Sequence, residues 1–134
     1  MKALVQTEVY DEEDAVVRQW LAEAHVLGEE SEYAGKRRHP RVAWQMPITV
    51  DILDGASAGE SYYATSKDIS EGGMGFRCRR AVPVWSCVRV TCDDDGQYVH
   101  GQVMHCTETV GGFIVGMQFQ WERDNSNRSI RRSA

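Results

Sequence analysis

The stretch Arg41-Val42-Ala43-Trp44-Gln45-Met46-Pro47-Ile48-Thr49-Val50-Asp51-Ile52 decides the fold class. Val42, Trp44, Met46, Ile48, Val50 and Ile52 alternate with mostly polar neighbours such as Gln45, Thr49 and Asp51, the period of a strand with one buried face. Pro47 falls on the outward side and marks an edge or a bulge. Downstream, Asp54-Gly55 makes a turn, and a second strand is expected from Ser61 to Lys67. A third runs from Met74 to Arg80, with Met74, Phe76 and Cys78 on one face. A fourth covers Val88, Val90 and Cys92 and ends in the acidic turn Asp93-Asp94-Asp95-Gly96. A fifth spans Tyr98 to Cys106, and a sixth, Phe113 to Gln120, aligns Phe113, Val115, Met117 and Phe119. A flat sheet of such strands would expose a row of large apolar residues and two unpaired edges, so closure is expected. The chain reads as mainly β: a small six-stranded antiparallel β-barrel or closed sandwich with an N-terminal amphipathic helix.

Upstream of that stretch the period is 3.6. Val16, Val17, Trp20, Leu21, Ala24 and Leu27 recur at helical spacing, Gly28 offers a stop, and Asp11, Glu12, Glu13 and Asp14 suit a helix N-terminus. Val5, Thr7 and Val9 alternate with Gln6 and Glu8 over too short a run to assign. The apolar stripe needs a partner, either the chain's own barrel or, for a docking or dimerisation helix, another surface. Three segments follow: a helical extension and linker over 1–35, a barrel domain over 36–121, and a polar, disordered tail over 122–134.

The 134 residues are 42% hydrophobic, enough for one core, and 20 acidic against 15 basic residues give a net charge of -5. That balance disfavours coating DNA or RNA through the overall field. No secretory signal or bilayer-spanning run occurs, so the expected location is cytoplasmic, without membrane insertion. Cys78, Cys87, Cys92 and Cys106 lack CxxC spacing and read as reduced, half-buried strand residues. No metal site and no cofactor are expected.

Two short motifs carry chemistry. The basic knot Lys36-Arg37-Arg38-His39-Pro40-Arg41 lies in an irregular stretch, because Pro40 disfavours helix at His39. Guanidiniums at Arg37 and Arg41 suit bidentate contact with phosphate or with a guanine edge, although a solvated basic cluster is the simpler alternative. The second motif, Asp68-Ile69-Ser70-Glu71-Gly72-Gly73, is expected in the turn between the second and third strands. Asp68 offers an acceptor to paired donors such as guanine N1 and N2, and Ser70 donates or accepts. Gly72 and Gly73 permit positive φ and close approach. The simpler alternative is a turn in which Asp68 and Ser70 satisfy local backbone N–H groups.

Together these motifs resemble the PilZ family of cyclic di-GMP receptors. Arg37 and Arg41 match its RxxxR element, and Asp68, Ser70 and Gly73 match its (D/N)xSxxG element, in the right order and setting. GQVMHC and GGFIVGMQF are similar to the family's closing strand pair. The resemblance spans roughly Lys36 to Trp121. It implies a barrel that binds cyclic di-GMP without transforming it. Arg37 and Arg41 would grip phosphate and guanine, Asp68 and Ser70 would read a guanine edge, and Gly73 would let the ligand sit close. Lys36, Arg38 and Gly72 are auxiliary candidates, Arg38 as a phosphate contact or a solvent-facing charge. It further implies a bacterial source and an adaptor role toward an unidentified protein effector, with oligomeric state open. Ligand binding is expected to order residues 31–41 and reorient the helix carrying Trp20 and Leu21.

The main alternative is a protein-interaction barrel that binds no nucleotide. Catalysis is not expected: no HExxH, GxSxG or P-loop pattern occurs, and adjacent His105 and Cys106 point to opposite faces of a strand. Binding of single-stranded nucleic acid would need aromatics on a basic face, whereas Phe76 and Phe119 belong to the inward series. Trp44 is expected in the core, with Trp85 and Trp121 as core lids or exposed contacts.

Overall fold

The computed structural model describes residues 2–27 and 40–120. Helix α1 (Lys2–Leu27) precedes seven strands: β1 (Val42–Ala43), β2 (Pro47–Ile52), β3 (Ser61–Ile69), β4 (Gly73–Cys78), β5 (Cys87–Cys92), β6 (Tyr98–Thr109) and β7 (Gly112–Phe119). All pairings are antiparallel, in the order β1-β3-β2-β5-β6-β7-β4, and β3 pairs with β4 to close the ring. The result is a six-stranded barrel, with the two-residue β1 added to the end of β3. The inward series is the one the alternation indicates. Ile48, Val50, Ile52, Met74, Phe76, Val88, Val90, Val115 and Phe119 are all within 1% of complete burial. All four cysteines lie in strands and carry no disulfide.

The expected first strand is broken at Trp44–Met46. Ser66 is the reason: its buried hydroxyl donates to the Trp44 carbonyl and accepts the Met46 N–H at 2.9 Å, where a regular ladder would have run. Pro47, without an N–H, then opens β2 on the exposed side. The second strand extends past Lys67 to Ile69, so Asp68 belongs to β3 and not to the following turn.

The helix starts at Lys2, earlier than its acidic run suggests, which places Asp11–Asp14 in its interior. Val5 and Val9, read above as part of an alternation, are also four apart and sit within the helix. Val17, Trp20 and Ala24 are buried in the barrel's own core cluster, so the stripe is covered by its own domain. Trp20 stacks on Trp44 with centroids 4.9 Å apart, and its Nε1 donates to Asp95 at 3.1 Å. Glu13, turned inward from the acidic run, accepts the His100 backbone N–H and lies 3.2 Å from His100 Nδ1. The helix thus caps the end of the barrel carrying the β5–β6 turn.

Trp85 is 61% exposed and holds a positive φ of 75°, so of the two readings for this residue the exposed one applies. Trp121 and the tail over 122–134 lie outside the described residues. Among the described residues, no helix is long and apolar enough to cross a membrane.

Candidate functional site

Asp68 reaches its place through a bulge. The β3–β4 register pairs Ser66 with Phe76 and then Asp68 with Gly75, leaving Lys67 unpaired. A one-residue insertion exchanges the faces of everything after it. Ser66 points inward, Asp68 outward, and Ile69 inward again at 0% exposure. Asp68 Oδ1 comes to rest over Gly75, where an added Cβ would lie 2.9 Å from it.

β1 brings the arginine. Because Val42 pairs with Ile69 and Ala43 with Asp68, Arg41 emerges beside the carboxylate and its Nη1 lies 3.2 Å from Asp68 Oδ1. Lys67, on the bulge itself, puts Nζ 3.1 Å from Oδ2. The Gly75 N–H donates to Oδ1 at 3.1 Å. A carboxylate has about four lone-pair positions. Among the described residues Oδ1 is therefore fully used, while Oδ2 accepts from Lys67 alone.

Ser70 is buried and turned into its own turn. Its hydroxyl accepts the N–H of Gly72 at 3.3 Å and of Gly73 at 3.2 Å, and its backbone N–H donates to the Gly73 carbonyl at 2.9 Å. This is the local bracket weighed above as the alternative for Ser70. The expected use of positive φ at Gly72 and Gly73 does not occur, since the positive-φ glycines lie elsewhere. Gly73 is required for a different close approach: a Cβ there would stand 2.2 Å from the Met117 carbonyl oxygen of β7. The Gly72 carbonyl accepts the Phe119 N–H at 2.9 Å, so both glycines pin the turn to β7. Lys36, Arg37, Arg38 and His39 fall outside the described residues, and of the knot only Pro40 and Arg41 are placed.

Sequence reading missed the neighbouring surface. A second bulge shifts the β6–β7 register between Val103 and His105 and turns His105 outward onto Gly116, its imidazole filling the space a Cβ would occupy. Gly75 and Gly116 are paired neighbours on β4 and β7. Two bulges on opposite strands therefore aim a carboxylate and an imidazole over a floor of two glycines. The available signal was broken alternation, at Lys67-Asp68 and at Met104-His105, with a glycine on each facing strand.

This arrangement offers a buried, anchored carboxylate flanked by two cations, with an exposed imidazole on the neighbouring strand pair. It suits a flat ligand with paired N–H donors and negative charge. Comparison with curated proteins finds no match. The family model for the PilZ domain matches residues 35–133, from just ahead of the basic knot through the whole barrel. The chain belongs to the PilZ domain family, a family of cyclic di-GMP-binding domains in which some members do not bind the nucleotide.

Proposed function

We propose that the chain is a receptor for cyclic di-GMP that performs no chemistry on it and relays its presence to a protein partner. The observation that carries this reading is the meeting of Arg41 and Asp68, one residue from each family motif, at 3.2 Å on a face floored by glycine. Asp68 accepts the N1–H and N2–H of a guanine, Arg37 and Arg41 hold phosphate and the guanine edge, and Lys36 and Arg38 add positive charge. Ser70, Gly72 and Gly73 act by fixing the turn from which β4 starts.

The ion pair gives binding a defined first step. A guanine edge presents two N–H donors to the carboxylate, and Oδ1 already accepts from Arg41 and Gly75. Arg41 must leave Asp68 and turn to the ligand, which replaces an internal ion pair with two contacts to the nucleotide. Residues 31–41 connect this arginine to α1, so the exchange draws the connecting segment onto the barrel and changes the setting of the helix that holds Trp20. The altered surface is what a partner reads.

Isothermal titration of cyclic di-GMP into the wild type and into Arg37→Ala/Arg41→Ala, with GTP and cyclic di-AMP as controls, tests the receptor reading. Saturable binding by the wild type alone, with circular dichroism unchanged, supports it. Absence of heat and of any thermal shift in the wild type favours a protein-interaction barrel, for which the internal partners of Asp68, Arg41 and Ser70 are purely structural. Hydrogen exchange over 12–41 tests the relay, which requires protection to change when the nucleotide binds.

A further inference from the structure

Where the start of β3, the end of β4 and the β6–β7 turn meet lies an open groove of about 750 Å³ that neither motif uses. Arg77, Arg79 and Arg80 line one side, Tyr62 and Tyr63 another, and Val110 stands at the rim on the β6–β7 turn. Three arginines within four residues are unusual on a chain of net charge -5, and none makes an ion pair among the described residues. Arg80 sits over the Tyr62 ring at 5.6 Å, while the Tyr62 hydroxyl donates to Glu60 at 2.8 Å. Tyr63 is 86% exposed and Val110 is fully exposed.

We infer that this groove docks an acidic segment of a partner protein that carries an aromatic or aliphatic anchor. The charge complementarity is direct: exposed guanidiniums form bidentate bonds with carboxylates and stack on aromatic rings. The apolar contribution of Tyr63 and Val110 distinguishes the site from a bare phosphate-binding patch, since exposed apolar groups clustered beside arginine are typical of interface anchors. Arg79 lies four residues beyond Gly75, roughly 13 Å along an extended chain, so the groove adjoins the Asp68 site without sharing it.

The inference goes beyond the proposed function and does not depend on nucleotide binding. The test uses the full chain as bait for a displayed library of random short peptides, followed by fluorescence anisotropy on the synthesised winners without nucleotide. The expected winners combine several Asp or Glu with a Trp, Phe or Leu. Their affinity should fall about 10-fold or more in Arg79→Ala/Arg80→Ala. It should also fall when salt rises from about 0.1 to about 0.5 M. Tyr63→Ala should weaken them as well, while Arg37→Ala/Arg41→Ala leaves them unchanged. Winners without acidic residues, or affinity indifferent to the Arg79/Arg80 change, overturn the inference. Displacement of the winners by single-stranded DNA or polyphosphate at lower concentration than by unlabelled peptide also overturns it and makes the groove a polyanion site. Separate titration of cyclic di-GMP into Arg79→Ala/Arg80→Ala shows whether nucleotide binding stands, so either reading can fail alone.

Discussion

Replacing Asp68 separates the carboxylate's part in holding the fold from its part in reading a ligand. In Asp68→Ala the Gly75 N–H loses its acceptor in a buried position, which costs about 1–3 kcal/mol. Arg41 and Lys67 lose a partner too, but their side chains are 23% and 37% exposed, so each loss adds about 0–1 kcal/mol. The sum is about 1–5 kcal/mol, which for a domain of this size lowers the thermal midpoint by about 3–25 °C. Asp68→Asn keeps an oxygen for Gly75 and loses only the charge, so its cost should stay near about 1 kcal/mol or below. Urea denaturation gives both stabilities, and titration with cyclic di-GMP gives both affinities. The expected pattern is a stable Asn variant that still binds, since the (D/N)xSxxG element accepts Asn here, and a destabilised Ala variant that does not. An Ala variant within about 0.5 kcal/mol of the wild type would refute the structural part of this reasoning. An Ala variant that binds normally would remove Asp68 from the nucleotide site.

Other positions give sharp outcomes. Gly73→Ala forces a Cβ to 2.2 Å from a backbone oxygen that cannot move aside, so it should cost about 3 kcal/mol and register first as lost stability in thermal melts. Glu13→Ala strips the His100 N–H of its acceptor, and amide exchange at His100 should quicken with a loss of about 1–3 kcal/mol in urea titrations. His105→Ala uncovers Gly116 on the exposed face and should leave the melting temperature unchanged while altering nucleotide affinity in calorimetry. Burial pushes the Cys92 thiol above its ordinary value, so the unfolded chain releases this proton first. Stability measured against pH should therefore fall as pH rises past about 9, and Cys92→Ala should flatten that decline.

Alternation was a sufficient guide to the barrel because each strand buries one face, and Trp44, Phe76 and Phe119 are in the core for that reason. It failed where a side chain replaced a backbone partner. Ser66 looks like an ordinary outward polar residue, yet its hydroxyl interrupts the first strand, and nothing in local spacing signals a bond across 20 residues. The two motifs were legible as residue types in order, but the bulges that aim Asp68 and His105 depend on register between distant strands. Gly73 shows the same limit in reverse: its need for a missing side chain was legible, while the neighbour that imposes it, Met117, belongs to the last strand.

Docking of α1 also sets an order of events during synthesis. Trp20 and Glu13 find their partners Asp95 and His100, 75 and 87 residues further along the chain. At about 5–20 residues per second, translation leaves the helix waiting for roughly 4–17 s before β6 exists. During that interval Val17, Trp20 and Ala24 have no barrel to cover them. Asp11, Glu12, Glu13 and Asp14 place charge in the middle of the waiting helix, and Glu13 becomes a structural acceptor only once His100 arrives.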